Sequence, residues 1–271
     1  MSPLESMSHT EQVAAYFHNP RPYLQRSYNI MLRREIVQEM VGKLSPARIL
    51  DIGCGDGSLS LQLLKGQTRL VLLDLSEQML ATARANVPAE FGENVEALCG
   101  DLMSAELEPG KFDLILCMGV LAHVDSPEDF IRKVCSLLRP GGSAVVTVSC
   151  GRHFFGRLRK LYLQIRDTIK RPLYRVKWLA AADVIGTFAS QGVRVTKSFR
   201  YNFPAPGMDR MLTNDRLYRA IRKRHGTVEH NRLASLGSEY ILCLRKDPVS
   251  ETSEAGMGNG VPGMEGNAAA R

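Results

Sequence analysis

Glycines and aspartates at the ends of predicted strands are the residues of this sequence best suited to hold a small ligand. In the stretch ILDIGCGDGSLS, an apolar run reaches Asp51, glycines alternate at positions 53, 55 and 57, and an apolar-periodic run begins at Leu59. Glycine is needed where the backbone turns sharply and where a ligand must approach the main chain. A strand, a glycine turn and a helix N-terminus together predict a nucleotide-type ligand site at the edge of an α/β sheet.

Two further carboxylates follow predicted strands. Asp74 closes a second apolar run about twenty residues after the glycines, where a carboxylate can accept hydrogen bonds from both hydroxyls of a ribose. Asp101 ends a shorter strand, where its carboxylate can accept from an adenine amino group while the Leu102 N–H meets a ring nitrogen. The glycine spacing is G-x-G-x-G, which differs from the G-x-G-x-x-G of dinucleotide folds. Each aspartate alone is more often a solvent-facing residue, whereas the ordered set indicates a site for an adenosine-containing ligand.

These stretches resemble the successive motifs of class I S-adenosylmethionine (SAM) dependent methyltransferases. The segments that carry the resemblance are LDIGCGDG from Leu50, DLSEQML from Asp74, GD at 100–101, FDLI from Phe112 and LRPGG from Leu138. They are most similar to the small-molecule group that includes ubiquinone and menaquinone biosynthesis enzymes, over about residues 46–150. The resemblance implies a seven-stranded sheet with an antiparallel last strand and SAM bound over the carboxyl ends of the first two strands.

The resemblance therefore implies SAM as the cofactor, and no metal site is predicted. We expect Asp51 to order the glycine turn and to accept a hydrogen bond from the ligand's ammonium group or from water. Apolar cover for the adenine would come from Leu75 and Met79. The full set of predicted cofactor-binding residues is Asp51, Gly53, Cys54, Gly55, Gly57, Asp74, Leu75, Met79, Asp101, Leu102 and Met118.

Two histidines are the predicted candidates for a catalytic base. The SAM sulfonium is an activated leaving group, so the protein must position the acceptor, exclude water and, for a hydroxyl, remove a proton. His123 follows the fourth predicted strand and His153 follows the fifth. An imidazole of ordinary pKa suits general base work near neutral pH. For His123, a structural role in its loop is the alternative interpretation.

Alternating helix and strand patterns surround these residues and predict an α/β fold with a Rossmann-like, mostly parallel sheet covered on both faces. Strands are predicted over 48–52, 69–74, 95–99, 112–118, 143–149, 193–199 and 239–245, and helices over 11–18, 28–41, 59–64, 76–86, 127–138 and 179–190. The predicted organisation is an N-terminal helical segment (1–45), a methyltransferase domain (46–247) with basic helical inserts at about 151–178 and 204–235, and a disordered tail (248–271).

Composition indicates one globular core, because 44% of the 271 residues are hydrophobic and 23% are charged. The six cysteines form no C-x-x-C pair, which favours reduced thiols in a cytoplasmic protein. The N-terminal residues are polar and no long apolar run occurs, so we predict neither a secretory signal nor a membrane span.

The net charge of +7 is unevenly distributed, since residues 151–234 hold 19 Lys and Arg against five Asp and Glu. Within that region, 154–178 has the periodicity of a basic amphipathic helix, where similar methyltransferases build a substrate lid. It would pack as a lid over an apolar substrate, contact anionic lipid headgroups or grip a phosphate. Well-solvated helices are the alternative interpretation of the charge. We expect an amphiphilic or anionic small-molecule substrate, with peripheral membrane contact through helix 154–178.

The predicted function is methyl transfer to such a metabolite, on oxygen. The alternatives are an RNA methyltransferase that uses the basic insert and a SAM-binding protein without catalysis. Nucleic acid is the weaker expectation, because the CMGV stretch from Cys117 lacks the Asn/Asp-Pro-Pro-aromatic element that holds a flipped base, and no Pro-Cys nucleophile is present. The intact set of aspartates argues against lost ligand binding.

Overall fold

The computed structural model of the chain describes residues 9–17, 27–150, 157, 161–166, 168, 177–202 and 211–248. The strands are β1 (Arg48–Ile52), β2 (Arg69–Asp74), β3 (Val95–Cys99), β4 (Phe112–Cys117), β5 (Leu138–Ser149), β6 (Val193–Tyr201) and β7 (Glu239–Lys246). The helices are α1 (His9–Phe17), α2 (Ser27–Val41), α3 (Ser58–Leu61), α4 (Glu77–Ala85), α5 (Pro127–Leu137), α6 (Ala181–Ser190) and α7 (Asn214–His225). Short 3-10 turns cover Ala89–Asn94, Leu121–His123 and Ala234–Leu236.

All seven strands belong to one sheet, in the order β3-β2-β1-β4-β5-β7-β6. Strands β3, β2, β1, β4 and β5 are parallel neighbours, whereas β7 is antiparallel to both β5 and β6. Parallel neighbours require crossover connections, which α4 and α5 supply between β2 and β3 and between β4 and β5. The predicted fold class, a Rossmann-like sheet with an antiparallel last strand, is confirmed.

Helices cover both faces of the sheet because alternate strand residues point to opposite sides. Leu114 and Leu116 of β4 join a core with residues of α2, α4 and α7, while Ile115 and Cys117 join a second core with α5 and α6. Caps fix where several of these helices begin: the side chains of Ser76, Ser126 and Thr213 accept hydrogen bonds from N–H groups of the first turns of α4, α5 and α7.

Helix α2 is fastened to α7 by a charged cluster. The Arg222 Nε lies 3.1 Å from Glu35 Oε2, and the same guanidinium bonds to Glu39. The Tyr218 hydroxyl donates to Glu35, and the Val228 N–H donates to Glu39 Oε2 at 2.7 Å. Helix α2, which precedes the first strand, packs into the same core as the sheet.

Several predicted element bounds are wrong in detail. Strand β5 begins at Leu138 instead of 143, because Leu138 already pairs with Phe112 before a register shift in β4. Helix α3 ends at Leu61 instead of Leu64, because the next N–H groups bond to carbonyls three residues back, as in a 3-10 turn. Strand β6 continues to Tyr201, which pairs with the first residue of β7.

Several predictions concern residues outside the described part of the chain. They include the candidate base His153, the tail beyond 248 and most of the amphipathic helix 154–178, of which 161–166 is helical. The domain bounds stay predictions. Among the described helices, none has the length and apolar character needed to cross a bilayer.

We expect Leu32→Ala to lower the free energy of unfolding by about 2–5 kcal/mol, because Leu32 of α2 is fully buried in the core. Urea denaturation measures the change. The control is Met31→Ala on the same helix, where the side chain is 38% exposed and the expected change is within about 0.5 kcal/mol. Equal effects of the two substitutions would contradict the packing of α2 described above.

Candidate cofactor site at the carboxyl ends of the strands

The end of the sheet at which the parallel strands finish, here called the carboxyl edge, brings the predicted site residues together. The Cα of Ile52 in β1 is paired with Leu73 in β2 on one side and with Cys117 in β4 on the other. The glycine turn, Asp74 and Met118 therefore follow directly from three adjacent strands. The sheet order reverses between β1 and β4, which is where ligands bind in open α/β folds.

The glycine turn is fixed to the end of β2. The Gly53 and Cys54 N–H groups both donate to the Leu73 carbonyl, at 2.7 and 3.2 Å. Gly53, Gly55 and Gly57 have φ values of 64°, 56° and 74°, in the left-handed region that favours glycine. A Cβ on Gly53 would also lie 2.4 Å from Val120 Cγ2, so the loop after β4 leaves room only for glycine there.

Asp74 connects the glycine turn to helix α4. Its Oδ2 accepts from the Gly55 N–H and its Oδ1 from the Ser76 N–H, each at 2.9 Å. Burial raises the pKa of this carboxyl, and the backbone N–H groups oppose that rise by favouring the charged form. Each carboxylate oxygen has two lone pairs, so both keep capacity to accept from a ligand hydroxyl. This geometry fits the predicted ribose contact.

Asp51 is a buried carboxylate at the end of β1, with 1% of its surface exposed. Among the described residues, its Oδ2 has no hydrogen-bond partner. Its pKa is raised to about 7, chiefly by burial; a hydrogen bond with the Ser60 side chain opposes the rise, and the charges of Asp74 and Asp56 add to it. A buried carboxylate oxygen without a partner is costly, and it fits a cationic group such as the ammonium of SAM.

The predicted adenine contacts lie next to Asp74. The Gly100 N–H donates to the Asp74 carbonyl at 3.0 Å, which places Asp101 beside the end of β2. The Asp101 Oδ1 accepts from the Met103 N–H at 2.8 Å. Met79 and Leu102 are buried, while Leu75 is partly exposed. Cys54, also in the predicted set, has a buried side chain, so its contact with a ligand would be through the backbone.

A cavity of about 590 Å³ begins at Gly100 and Asp101 and extends along the face of β2 and β3 to Arg48. Its lining includes neither the glycine turn nor Asp74. It is therefore not the predicted cofactor site.

The loop after β4 carries Met118 and His123. Met118 is buried and its sulfur accepts from the Thr147 hydroxyl at 3.3 Å. His123 is partly exposed in a 3-10 turn, and its N–H donates to the Val120 carbonyl at 2.7 Å. Lys177 fastens this loop, since its N–H donates to the Ala122 carbonyl at 2.9 Å. Because Val120 lies against Gly53, His123 belongs to the loop bordering the glycine turn, and its role as a base stays a prediction.

Arg33 of α2 is a residue of the site that sequence reasoning missed. It is buried, and its Nη1 donates to the Met118 carbonyl at 3.5 Å. A Cβ on Gly119 would lie 3.0 Å from the same nitrogen. A buried arginine beside a ligand site is uncommon and places a positive charge there. The helical spacing of the sequence could have indicated that Arg33 is buried, because it falls on the same helical face as the buried Ile36, Val37 and Met40.

A family model described as a methyltransferase domain matches residues 49–142. A ubiquinone biosynthesis O-methyltransferase of Bordetella avium is 36% identical over 113 residues, which are 41% of this chain and 46% of that enzyme. One of Xanthomonas campestris is 35% identical over 159 residues, or 52% of this chain and 64% of that enzyme. The chain thus spans about half the length of the first of these relatives and less than two thirds of the second.

Solved structures share the fold at low sequence identity. A SAM-dependent methyltransferase of Thermotoga maritima has a TM-score of 0.63 and 16% identity, covering 89% of this chain and 100% of that one. The magnesium protoporphyrin IX methyltransferase of Synechocystis, solved with bound S-adenosylhomocysteine (SAH), has a TM-score of 0.59 and 17% identity over the same shares. Residues 49–142 are a class I SAM-dependent methyltransferase domain, which confirms the predicted family, and SAM is the cofactor of that class.

The raised pKa of Asp51 predicts a pH-dependent stability. Its carboxyl has an ordinary pKa of 3.8 when unfolded and about 7 when folded, so the folded state holds the proton more tightly. Stability should therefore fall as pH rises from about 4 to about 7, by on the order of 4 kcal/mol. We expect the free-energy advantage of Asp51→Asn over the wild type to grow across that range. Urea denaturation of both proteins without ligand measures it, and parallel curves would contradict a raised pKa of Asp51 in the folded state.

Proposed function

We propose that this protein transfers a methyl group from SAM to an oxygen atom of a small molecule. The observation that carries the proposal is the distribution of charge at the carboxyl edge, with the buried Asp51 and the partly buried Asp74 carboxylates flanking the glycine turn and the buried guanidinium of Arg33 beside Gly119. The methyltransferase family match and the relatives named as O-methyltransferases also support the proposal.

Each charged group has a defined task in this proposal. Gly55 and Ser76 orient the Asp74 carboxylate so that it accepts from the ribose hydroxyls of the cofactor. Asp51 binds the ammonium group of the methionine part, and Arg33 binds its carboxylate. The two ends of a zwitterion would thereby be held by opposite charges on opposite sides of the glycine turn.

When bound, SAM supplies a methyl group on a sulfonium that leaves readily. The chain must then place the acceptor oxygen in line with that methyl group and keep water away. Met118 and Val120 give the loop after β4 an apolar surface that helps to exclude water. His123 is the proposed base that takes the proton of an acceptor hydroxyl, and His153 is the second candidate.

An assay with methyl-labelled SAM and a small-molecule extract tests the activity. We expect label in a product of low mass with the wild-type protein, and none with Asp74→Ala. That variant removes the acceptor of the Gly55 and Ser76 N–H groups and of the ribose, so SAH affinity should fall about a hundredfold. The control is Asp215→Ala, which removes an exposed carboxylate that pairs with Arg219 on α7 and should leave labelling unchanged.

Two outcomes would overturn the proposal. Label incorporated into added RNA, with none in small molecules, would favour the nucleic-acid alternative. Calorimetric binding of SAH without any labelled product would favour a SAM-binding protein without catalysis.

We further propose that the substrate is amphiphilic or anionic and is reached at a membrane surface through the segment 154–178. The described part of this segment supports the proposal, because Leu161, Tyr162 and Ile165 are 54%, 45% and 57% exposed. The segment also carries the exposed Arg157. Exposed apolar side chains alongside cations are typical of helices that lie in the interface of anionic bilayers.

Vesicle flotation tests the membrane contact. We expect the protein to float with phosphatidylcholine vesicles that contain phosphatidylglycerol, less so as salt is raised, and not with phosphatidylcholine alone. Replacing Leu161 and Ile165 together by glutamate should reduce flotation at least fivefold. The control is Met103→Glu, which changes an exposed apolar side chain outside this segment. Flotation that the double substitution leaves unchanged would contradict the proposal.

A further inference from the structure

A polar row crosses the last three strands at the carboxyl edge. Ser149 of β5 and Tyr201 of β6 are both Cα partners of Glu239 in β7, so the three side chains share one face of the sheet. Glu239 and Tyr201 are fully buried, and the Ser149 hydroxyl donates to Glu239 Oε2 at 2.6 Å. A buried carboxylate is tolerated only with polar partners, so this row is a connected network instead of isolated groups.

Helix α2 contacts this row through residues one turn apart. The Tyr201 hydroxyl donates to Asn29 Oδ1 at 3.0 Å. The pKa of Tyr201 is raised to about 12, chiefly by burial; the positive charge of Arg33 and its hydrogen bond to the phenol oppose the rise, and the charge of Glu239 adds to it. The phenol therefore keeps its proton at neutral pH. Since Asn29 and Arg33 are four residues apart, both lie on one face of α2, above Tyr201.

We propose that Tyr201, with Asn29 and Glu239, forms a positioning set that holds the Arg33 guanidinium beside Gly119, and thereby sets the affinity for the carboxylate of the cofactor. The inference rests on the proposed function, in which Arg33 binds that carboxylate. An arginine side chain loses much conformational entropy when it is fixed. Holding it in place before the ligand arrives removes that cost from binding. In this arrangement strands β6 and β7 determine how well the cofactor binds, although neither contributes a residue to the predicted cofactor contacts.

A second tyrosine provides a matched comparison, because two phenols bond to α2 at different places. Tyr218 donates to Glu35 and belongs to the cluster that fastens α2 to α7. Tyr201 donates to Asn29 and faces Arg33. If Tyr201 served only to dock α2, replacing either phenol by phenylalanine would affect ligand binding similarly.

Isothermal titration calorimetry with SAH tests the positioning set in the 271-residue chain. We expect Tyr201→Phe to weaken SAH binding about tenfold and Tyr218→Phe to change it less than twofold. The double variant Arg33→Ala, Tyr201→Phe should bind no more weakly than Arg33→Ala alone, because the phenol acts through the guanidinium. Thermal unfolding without ligand confirms that each variant is folded. Should Tyr201→Phe fail to fold, Asn29→Ala replaces it in the same cycle.

The outcomes separate this inference from the proposed function. If the wild-type protein does not bind SAH, the proposed function is overturned. If it binds SAH but Tyr201→Phe binds equally well, or if the effects of Tyr201→Phe and Arg33→Ala add fully, the positioning set is overturned and the proposed function stands. Equal weakening by Tyr201→Phe and Tyr218→Phe would likewise overturn it, since both would then act by docking α2.

Discussion

The hydrogen bond from the Gly55 N–H to the Asp74 carboxylate is the contact on which the carboxyl edge depends. It joins the turn after β1 to the end of β2, and the second oxygen of Asp74 joins the same point to Ser76, the cap of α4. The left-handed backbone of the glycines allows this N–H to point at the carboxylate. Burial favours the neutral acid, whereas the N–H groups favour the charged form. Because these effects oppose each other, a bound ligand can shift the pKa of the Asp74 carboxyl.

Charge at this edge is divided into two regions. Asp51 and Asp74 lie on the side of β1 and β2, and Arg33 lies over the loop that follows β4. Glu239 adds a negative charge near the same place, because it and Arg33 shift the pKa of the Tyr201 phenol in opposite directions. A ligand with an ammonium and a carboxylate group would complete this arrangement, which is the electrostatic argument for the proposed cofactor.

The sequence predicted the half of the site that is built locally. The glycine turn, Asp74 and Asp101 each follow a strand, and the carboxyl ends of parallel strands must meet at one edge, so reading the strands was enough to place them together. Arg33, Tyr201 and Glu239 were missed because they meet only through the docking of α2 and the register of β6 on β7, contacts between residues as far as 172 positions apart. The early start of β5 depends in the same way on its pairing with β4.

The family match covers the part of the site that the sequence predicted and leaves out the part that it missed. Residues 49–142 contain every predicted cofactor contact, and the relatives are informative about this half. Arg33 precedes that range, while Ser149, Tyr201 and Glu239 follow it, together with the region that holds 19 of the 35 Lys and Arg residues. Likeness to ubiquinone biosynthesis enzymes therefore supports the choice of cofactor more strongly than the choice of acceptor. In the proposed function, the residues that select the acceptor would therefore lie outside residues 49–142, in α2 and after β5.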